Sequence, residues 1–387
     1  MKRILTGLAA ATMGLAMLAG CSGGGAGTAQ APAGDTYKIG LNYELSGDVA
    51  TYGEANVQGI EMAAEEINNA GGIDGKKIEL VKYDTKSDAA EATTLATKLM
   101  TQDKVITVIG PATSGGMKAT IPVAQQNKIP VVSGSATADD VTVDASGVKQ
   151  FAFRTCFNDS FQGTAAANYA VKKFSAKKAV ILRDSSSDYS KGLADAFRTT
   201  FTAGGGEIVS EDAYAKGADN FNAVMTKFKG QQFDVIYLPG YYTEAGKAIK
   251  QARDLGVTQP ILGGDGFDSP VLAEQAGAQL TDVYYTNHYS SADEDPKVQE
   301  FIKAFQAKYN TEPNAFHALG YDTLKFVADG IKRAGEKTGV GVQKALAETK
   351  DFAGVTGTFS VDENHNPVKA VVFIGYKDGK VAVTEKA

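Results

Sequence analysis

The sequence predicts an α/β protein made of two lobes, and three observations lead to this fold class. Short apolar runs typical of buried strands alternate with amphipathic stretches of helical length, a pattern that predicts parallel sheets covered by helices on both faces. The alternation falls into two series that divide near residues 151–157. The length of 387 residues also agrees with about two domains.

The first series is predicted from apolar spacing and from the residues that end each element. Val57, Ile60, Ala64 and Ile67 keep the spacing that marks one face of a helix, and the glycine pair at 71–72 ends it. Short apolar runs predict strands that are buried on both faces. In chain order, the series comprises strand 38–43, this helix, strand 78–83, helix 92–100, strand 105–109, helix 114–126 and strand 129–132.

The second series repeats the alternation and then changes near its end. Its elements are helix 161–174, strand 179–182, helix 189–203, strand 206–209, helix 220–229, strand 233–238, helix 243–255, strand 260–262 and helix 269–276. The chain is then expected to run extended at 283–288, to form two long helices at 296–309 and 315–334, and to close with a last strand at 370–376.

Composition and charge exclude several classes of protein. Hydrophobic residues make up 43% of the chain and charged residues 22%, which argues against a disordered, fibrous or polytopic membrane protein. The net charge of −6 argues against nucleic acid as a partner, because a phosphate backbone needs a basic surface.

The start of the chain is predicted to lie outside the fold. Two basic residues precede an apolar stretch at 4–19 that is too short to span a bilayer comfortably. The segment Leu-Ala-Gly-Cys at 18–21 resembles the lipobox of bacterial lipoproteins; the alternative is an ordinary secretory signal with an incidental cysteine. We therefore predict a signal peptide at 1–20, a flexible tether at 21–36, and an extracytoplasmic protein anchored to the cell membrane by a lipid on Cys21.

Motifs for catalysis and for metal binding are missing from the sequence. His288, His317 and His365 lie far apart and do not show the spacing of a zinc site. Cys156 is the cysteine that remains beside Cys21, so no internal disulfide is expected, and a small buried hydrophobe is favoured over a catalytic thiol. The sequence therefore predicts neither an enzyme nor a bound metal or cofactor.

Three polar loops follow strand ends, where open α/β sheets bind ligands. Loops 110–116 and 133–140 are rich in hydroxyls and lead toward helix N-termini, which favour anions such as a carboxylate. Loop 263–268 places Asp265 where it could meet a cation. An anion site on one lobe and an acid on the other fit a zwitterion bound between them; the alternative is that these residues only cap helices and form turns.

Eight motifs stand in a recognisable order and spacing along the chain. They occupy residues 45–53, 67–75, 83–84, 108–111, 153–155, 162–163, 240–246 and 315–316. The first reads Leu-Ser-Gly-Asp-Val-Ala-Thr-Tyr-Gly and the second Ile-Asn-Asn-Ala-Gly-Gly-Ile-Asp-Gly. With these motifs, the chain from 37 to about 379 resembles the solute-binding proteins of branched-chain amino acid ABC transporters, the leucine/isoleucine/valine-binding family.

The resemblance implies the periplasmic binding protein type I fold. In that fold two Rossmann-like lobes are joined by a three-strand hinge, and the ligand lies in the interlobe cleft. Lobe 1 would comprise residues 37–155 and 287–368, and lobe 2 would comprise residues 156–286 and 369–387.

The resemblance also implies a set of ligand-binding residues. Ser114 and Thr137 would hold the ligand carboxylate, and the Ser135 carbonyl and Asp265 would hold the ammonium. Asp265 stands where many members of the family have Glu, which is one methylene longer. The other implied residues would close over the ligand from lobe 2 (Tyr189, Tyr241) or surround its side chain from lobe 1 (Tyr52, Ala112, Thr113, Ala136, Phe316).

Three further positions bear on the ligand. Some relatives carry a disulfide at the positions of Ser87 and Thr113, which is absent here. Thr113 is expected to make the side-chain pocket more polar, which weakens the inference to leucine, isoleucine and valine over alanine or threonine. Asp268 is expected to be only a helix N-cap or a turn residue.

The function that the resemblance implies is binding and delivery. A monomeric receptor would capture a small L-amino acid, branched-chain or otherwise aliphatic, close around it by a hinge motion, and deliver it to an ABC permease. Two alternatives stay open. A protein of the same fold could bind another small ligand such as an amide, urea or an aromatic acid, and an aliphatic amide would not need Asp265. The chain could also be a sensor module for a membrane receptor.

Overall fold

The computed structural model describes residues 36–386. The predicted signal peptide, the lipidation site at Cys21 and residues 22–35 of the predicted tether lie outside the described residues. Across residues 36–386, no helix combines the length and the apolar character needed to cross a membrane. Two large sheets organise the chain: lobe 1 surrounds a five-stranded sheet and lobe 2 a seven-stranded sheet.

Lobe 1 begins with a parallel sheet built from the predicted apolar runs. Its elements are β1 (Tyr37–Tyr43), α1 (Ala50–Asn69), β2 (Ile78–Asp84), α2 (Ala89–Thr101), β3 (Thr107–Ile109), α3 (Ser114–Asn127), β4 (Val131–Ser133), the short pair β5 (Val143–Asp144) and β6 (Gly147–Val148), and β7 (Ala152–Arg154). The strand order is β2-β1-β3-β4-β7. Ile39 of β1 lies opposite Leu80 of β2 and Thr107 of β3. All these pairs are parallel, so the carboxyl ends of the strands share one edge.

Lobe 2 repeats the arrangement in the next stretch of chain. Its elements are α4 (Asp159–Phe174), β8 (Lys178–Asp184), α5 (Asp188–Ala203), β9 (Glu207–Tyr214), α6 (Asn222–Lys229), β10 (Val235–Tyr237), α7 (Tyr242–Asp254), β11 (Ile261–Gly263), α8 (Pro270–Ala276) and β12 (Val283–Asn287). The strands β12-β11-β10-β8-β9 are neighbours in that order and pair in parallel. The predicted α/β architecture of two lobes is thereby confirmed.

The chain then returns to lobe 1. This stretch contains α9 (Pro296–Tyr309), α10 (Ala315–Arg333), α11 (Gly339–Ala347) and the hairpin of β13 (Phe352–Gly354) and β14 (Gly357–Phe359). Helix α10 packs against α1. A Cβ atom on Gly59 would lie 2.0 Å from the His317 carbonyl oxygen, and one on Gly320 would lie 2.1 Å from that of Asn56. The two helices therefore approach so closely that only glycine fits at these two positions.

The last two strands correct the prediction for the end of the chain. Strands β15 (Val372–Lys377) and β16 (Lys380–Lys386) form an antiparallel hairpin on β12, so the lobe 2 sheet is mixed and the predicted strand at 370–376 is not the last one. Strand β16 lies at the sheet edge and is largely exposed, so its sequence lacks the apolar run that marks a buried strand. Helix α11 and the β13–β14 hairpin were also not predicted.

Candidate functional site

The loop between β3 and α3 forms one wall of the cleft, and Glu44 holds it. The Glu44 carboxylate accepts the backbone N–H groups of Ala112 at 2.9 Å and Thr113 at 3.1 Å. It also accepts the Thr113 hydroxyl at 2.7 Å. That hydroxyl in turn accepts the Gly116 N–H and caps α3. The Thr113 hydroxyl is therefore already engaged on both sides, which reduces what it can add to the polarity of the pocket.

The loop after β4 forms the neighbouring wall and is tied to the first loop by hydroxyl groups. Ser135 donates to the Ala112 carbonyl, and the Ser114 hydroxyl accepts the Ala138 N–H, both at 3.0 Å. Within residues 36–386, no group accepts the backbone N–H of Ser114 or that of Thr137. Since Ser114 begins α3, its N–H lies at the positive end of the helix dipole. This side of the cleft therefore presents donors suited to an anion.

The opposite side of the cleft carries a buried acid, Asp265, which follows β11. Its Oδ1 accepts the Tyr189 hydroxyl at 2.8 Å, and its Oδ2 lies 3.0 Å from His288 Nε2. Its backbone N–H donates to the Gln162 side chain at 2.8 Å. Burial lowers the pKa of His288, so we assign the neutral imidazole with the proton on Nε2. The Asp265 carboxylate thus has hydrogen bonds but no cationic partner among the described residues.

Aromatic side chains from both lobes meet over this acid. The Tyr52 ring stacks on Phe316, with centroids 4.3 Å apart, and meets the edge of Tyr241 at 5.7 Å. Tyr241 stacks on Tyr189 at 5.1 Å. The Tyr52 hydroxyl donates to the backbone carbonyl of Gly266, which links lobe 1 directly to lobe 2. The aromatic residues therefore cover the cleft and join its two sides.

One small cavity unites most of the predicted site. Its volume is about 10 Å³, which is about enough for a single water molecule. The cleft is therefore closed, and the lobes or the rings must move before an amino acid fits. The cavity is lined by nine residues predicted for the site and by Gly266: Tyr52, Ala112, Thr113, Ser114, Ser135, Tyr189, Tyr241, Asp265 and Phe316.

Two residues predicted for the site, Ala136 and Thr137, do not line this cavity. Both are fully buried behind it. The Ala136 carbonyl accepts the buried Arg154 guanidinium at 3.1 Å, and the Thr137 carbonyl accepts the Asp159 N–H at 2.9 Å. In the closed arrangement neither residue reaches the cavity, so Thr137 can contact a ligand carboxylate only after the loop around it moves.

The helix N-cap role predicted for Asp268 as one of two possibilities is wrong. Ser269 caps that helix through its side chain. The Asp268 carboxylate instead accepts the backbone N–H of Ala315 at 2.8 Å and the Asn287 side chain at 3.0 Å. Burial raises its pKa. Asp268 therefore joins lobe 2 to the start of α10, a role that a neighbouring turn residue would not have.

Ion pairs bridge the lobes at the mouth of the cleft. Lys118 of α3 pairs with Asp140 in its own lobe and with Asp188 of α5 across the cleft, the latter at 2.7 Å. Lys216 of lobe 2 pairs with Asp48 of lobe 1 at 3.2 Å. Hydrogen bonding to Lys118 lowers the pKa of Asp188. These contacts exist only while the lobes are together, so they favour the closed arrangement.

Sequence reasoning missed several residues that build the site. Glu44 directly follows the strand predicted at 38–43, Gln162 belongs to one of the motifs, and His288 ends a predicted extended segment, but none of the three was predicted to contribute to the site. The sequence signal that could have identified them is their position next to a strand end or within a motif. Their contacts are visible only in the fold; Gln162 and Asp265, for example, are 103 residues apart along the chain.

Two further features of the described residues concern a thiol and metal binding. Cys156 is fully buried, as predicted, and burial raises its pKa to about 12, which disfavours the reactive thiolate. Among residues 36–386, no cluster of three or more His, Cys, Asp or Glu side chains is arranged to hold a metal ion.

Comparison with known proteins places the chain in a family. A family model described as periplasmic binding protein matches residues 36–380. A Leu/Ile/Val-binding protein homolog 3 from Brucella melitensis is 32% identical over 84% of this chain and 87% of that protein. The Leu/Ile/Val-binding protein BraC3 from Rhizobium johnstonii is 34% identical over 84% of this chain and 87% of that protein.

Solved structures agree with this placement. The branched-chain amino acid transporter substrate binding protein LivJ from Streptococcus pneumoniae, in complex with isoleucine, has a TM-score of 0.86 and 44% identity, covering 91% of this chain and 99% of that one. An ABC transporter solute binding protein from R. palustris, in complex with benzoate, has a TM-score of 0.81 and 28% identity, covering 90% and 95%. Such proteins bind solutes and are not enzymes. The chain therefore belongs to the periplasmic binding protein family, the family of the leucine-, isoleucine- and valine-binding proteins that it resembles.

Proposed function

We propose that this chain captures a small aliphatic L-amino acid outside the cytoplasm and delivers it to an ABC permease. Leucine, isoleucine and valine are the first candidates, because the relatives from Brucella melitensis and Rhizobium johnstonii carry these names and the Streptococcus pneumoniae structure holds isoleucine. The sequence-based prediction of an anion site in one lobe and an acid in the other supports the same class of ligand.

The observation that carries the proposal is the buried Asp265 carboxylate, which has no cationic partner among residues 36–386. A buried charge is costly unless it is paired, and a ligand ammonium would supply the missing partner. The Ser135 carbonyl would share that ammonium, while Ser114 and Thr137 would hold the ligand carboxylate. The rings of Tyr52 and Phe316 offer an apolar surface to an aliphatic side chain.

An uncharged ligand fits this arrangement less well. An amide or urea would leave Asp265 buried with neutral donors alone. An amino acid brings an ammonium for Asp265 and a carboxylate for the N–H donors of the opposite wall. The benzoate-bound relative has the same fold, so the fold by itself does not select the ligand.

The proposed mechanism is capture by hinge closure. The Tyr52–Gly266 hydrogen bond and the ion pairs at the mouth hold the lobes together, and the cavity between them is too small for an amino acid. The ligand would therefore enter while the lobes are apart and be enclosed when both sides contact it. Small-angle scattering with and without ligand tests how far the lobes separate.

The proposed location is the outer face of the cell membrane, with Cys21 as the lipid anchor. The support is the segment at 18–21 and the composition of the tether at 21–36. Cys21→Ala should leave an unlipidated protein that no longer fractionates with membranes. Recovery of that variant as a mature, lipid-modified membrane protein would contradict the anchor.

A ligand screen tests the proposed function. Thermal unfolding of the mature protein is measured with the aliphatic amino acids, alanine, threonine, acetamide, urea and benzoate. A ligand present at one hundred times its Kd should stabilise the protein by about 2.7 kcal/mol. Stabilisation by a branched-chain amino acid supports the proposal, and stabilisation only by acetamide, urea or benzoate contradicts it.

A further inference from the structure

A second cavity opens on the outer side of lobe 2, between α4 and the β15–β16 hairpin. Its volume is about 620 Å³, which lies within the range of small-molecule sites. It shares no lining residue with the cavity at Asp265 or with the cavity of about 270 Å³ at the mouth of the cleft. The proposed amino-acid site therefore does not account for it.

The floor and one wall of this cavity are apolar. The Tyr169 ring of α4 stacks on Phe373 of β15, with centroids 3.9 Å apart and planes within 8° of parallel. Val371 and Ala165 extend the apolar surface. Phe161 stands at the rim with 40% of its surface exposed, an unusual position for a large aromatic side chain. An apolar group in this cavity would cover part of that surface.

One buried polar group faces the cavity. Tyr169 is 6% exposed and lines the cavity, and its hydroxyl lies beside the Glu385 carboxylate. Burial raises the pKa of Tyr169, and the nearby Glu385 carboxylate raises it further. That carboxylate pairs with Lys173. The Tyr169 hydroxyl and the Glu385 carboxylate therefore place polar groups at the edge of the apolar surface.

The rim of the cavity is cationic. Lys172, Lys173 and Lys386 line it, against the single acid Glu385. Lys173 pairs with Glu385, and Lys386 pairs with Asp293 at 2.7 Å. Lys172 has no ion-pair partner in the described part of the chain. The balance of charge therefore favours an anion over a neutral or cationic group.

We propose that this cavity is a second binding site, which takes a small amphipathic carboxylate independently of the interlobe cleft. The apolar body of the ligand lies on the Tyr169–Phe373 stack and beneath Phe161. The carboxylate lies near Lys172 at the cationic rim. Octanoate has this chemistry and serves as the probe.

Calorimetric titration of the mature protein with octanoate tests the site. We expect saturable binding with a Kd on the order of 1 mM or lower, and weaker binding of octanamide, which has the same body without the charge. Saturation of the cleft with the amino acid found in the screen should leave the octanoate affinity unchanged. Displacement of octanoate by that amino acid, or equal binding of octanamide, overturns the proposal.

Variants locate the bound probe. Ala165→Trp fills the cavity and should weaken octanoate binding ten-fold or more, while Lys172→Glu should weaken it about three- to ten-fold. Lys303→Glu is the matched control, because Lys303 is an exposed lysine on α9 of lobe 1. If Ala165→Trp fails to fold, Phe161→Gln at the exposed rim replaces it and should weaken binding about three-fold. Wild-type affinity in the folded cavity variants would refute the site.

Discussion

Two buried carboxylates face the cleft from opposite lobes, and their surroundings differ in kind. Glu44 and Asp265 follow strand ends and are each 2% exposed. Glu44 accepts two backbone N–H groups and a hydroxyl of its own lobe, so it fixes a loop. Asp265 accepts only the side chains of Tyr189 and His288 and lines the innermost cavity. Burial alone therefore does not distinguish a structural acid from a ligand-binding acid. The distinction lies in whether the hydrogen-bond donors to the carboxylate come from the backbone of a loop or from side chains that line the cavity.

The largest expected effect is the loss of ligand binding in Asp265→Ala. Removing one partner of a buried charge pair costs ~2–5 kcal/mol, which corresponds to about 30-fold or more in affinity. Thermal unfolding without ligand should change little, because the hydrogen bonds lost by Tyr189 and His288 are offset by the removal of a buried charge that has no cationic partner among residues 36–386. Calorimetric titration with the ligand from the screen measures the affinity.

The control for this variant is Asp219→Ala, which removes an exposed acid of lobe 2 and should bind like the wild type. Asp268 does not serve, since its carboxylate joins the two lobes. If Asp265→Ala keeps wild-type affinity, the zwitterion model fails and an uncharged ligand becomes the better explanation.

Glu44→Gln should have the opposite profile, with its main effect on stability. The glutamine amide places donors beside the backbone N–H groups of Ala112 and Thr113, and an unsatisfied buried group costs about 1–3 kcal/mol. Denaturant unfolding without ligand should show this loss, while Glu274→Gln at an exposed position of α8 should not. An unchanged free energy of unfolding in Glu44→Gln would contradict the structural role that distinguishes Glu44 from Asp265.

His288→Gln should change how stability depends on pH. Burial lowers the pKa of His288 in the folded protein, so its contribution is present above the ordinary value of about 6.5 and is lost as the pH falls below it. The wild type should lose up to about 1.4 kcal/mol per pH unit more than the variant in that range. Urea unfolding between neutral and mildly acidic pH measures both slopes. Equal slopes for His288→Gln and the wild type would contradict this prediction.

The smallest expected effect concerns the ion pair across the mouth. Asp188→Asn removes the interlobe contact with Lys118 and should weaken ligand affinity about two- to five-fold, because exposed pairs contribute little. High salt should shrink the difference. Asp195→Asn is the matched control, since Asp195 lies on the same helix and pairs with Arg198 inside lobe 2. A loss that is equal in both variants would show that the bridge does not favour closure.

The sequence predicted most elements of both lobes because their signals are local. Helix α1 shows its buried stripe in the spacing of Val57, Ile60 and Ala64, and the buried central strands are short apolar runs. Strand β16 carries no such signal, since it is an exposed edge that pairs on one side only. Strand β16 joins the sheet only by pairing with β15, and no local sequence pattern encodes that pairing.

The sequence by itself determined the fold class, the two polar loops of lobe 1 and the acid at 265, because strand ends and helix starts can be read from local spacing. The tertiary structure alone decided which atoms those residues face. It turned the Thr113 hydroxyl toward Glu44, joined Asp268 to Ala315, and brought His288 and Tyr189 to Asp265. The physical reason is that hydrogen bonds and burial depend on distance in space, and these partners are separated by 23 to 76 residues along the chain.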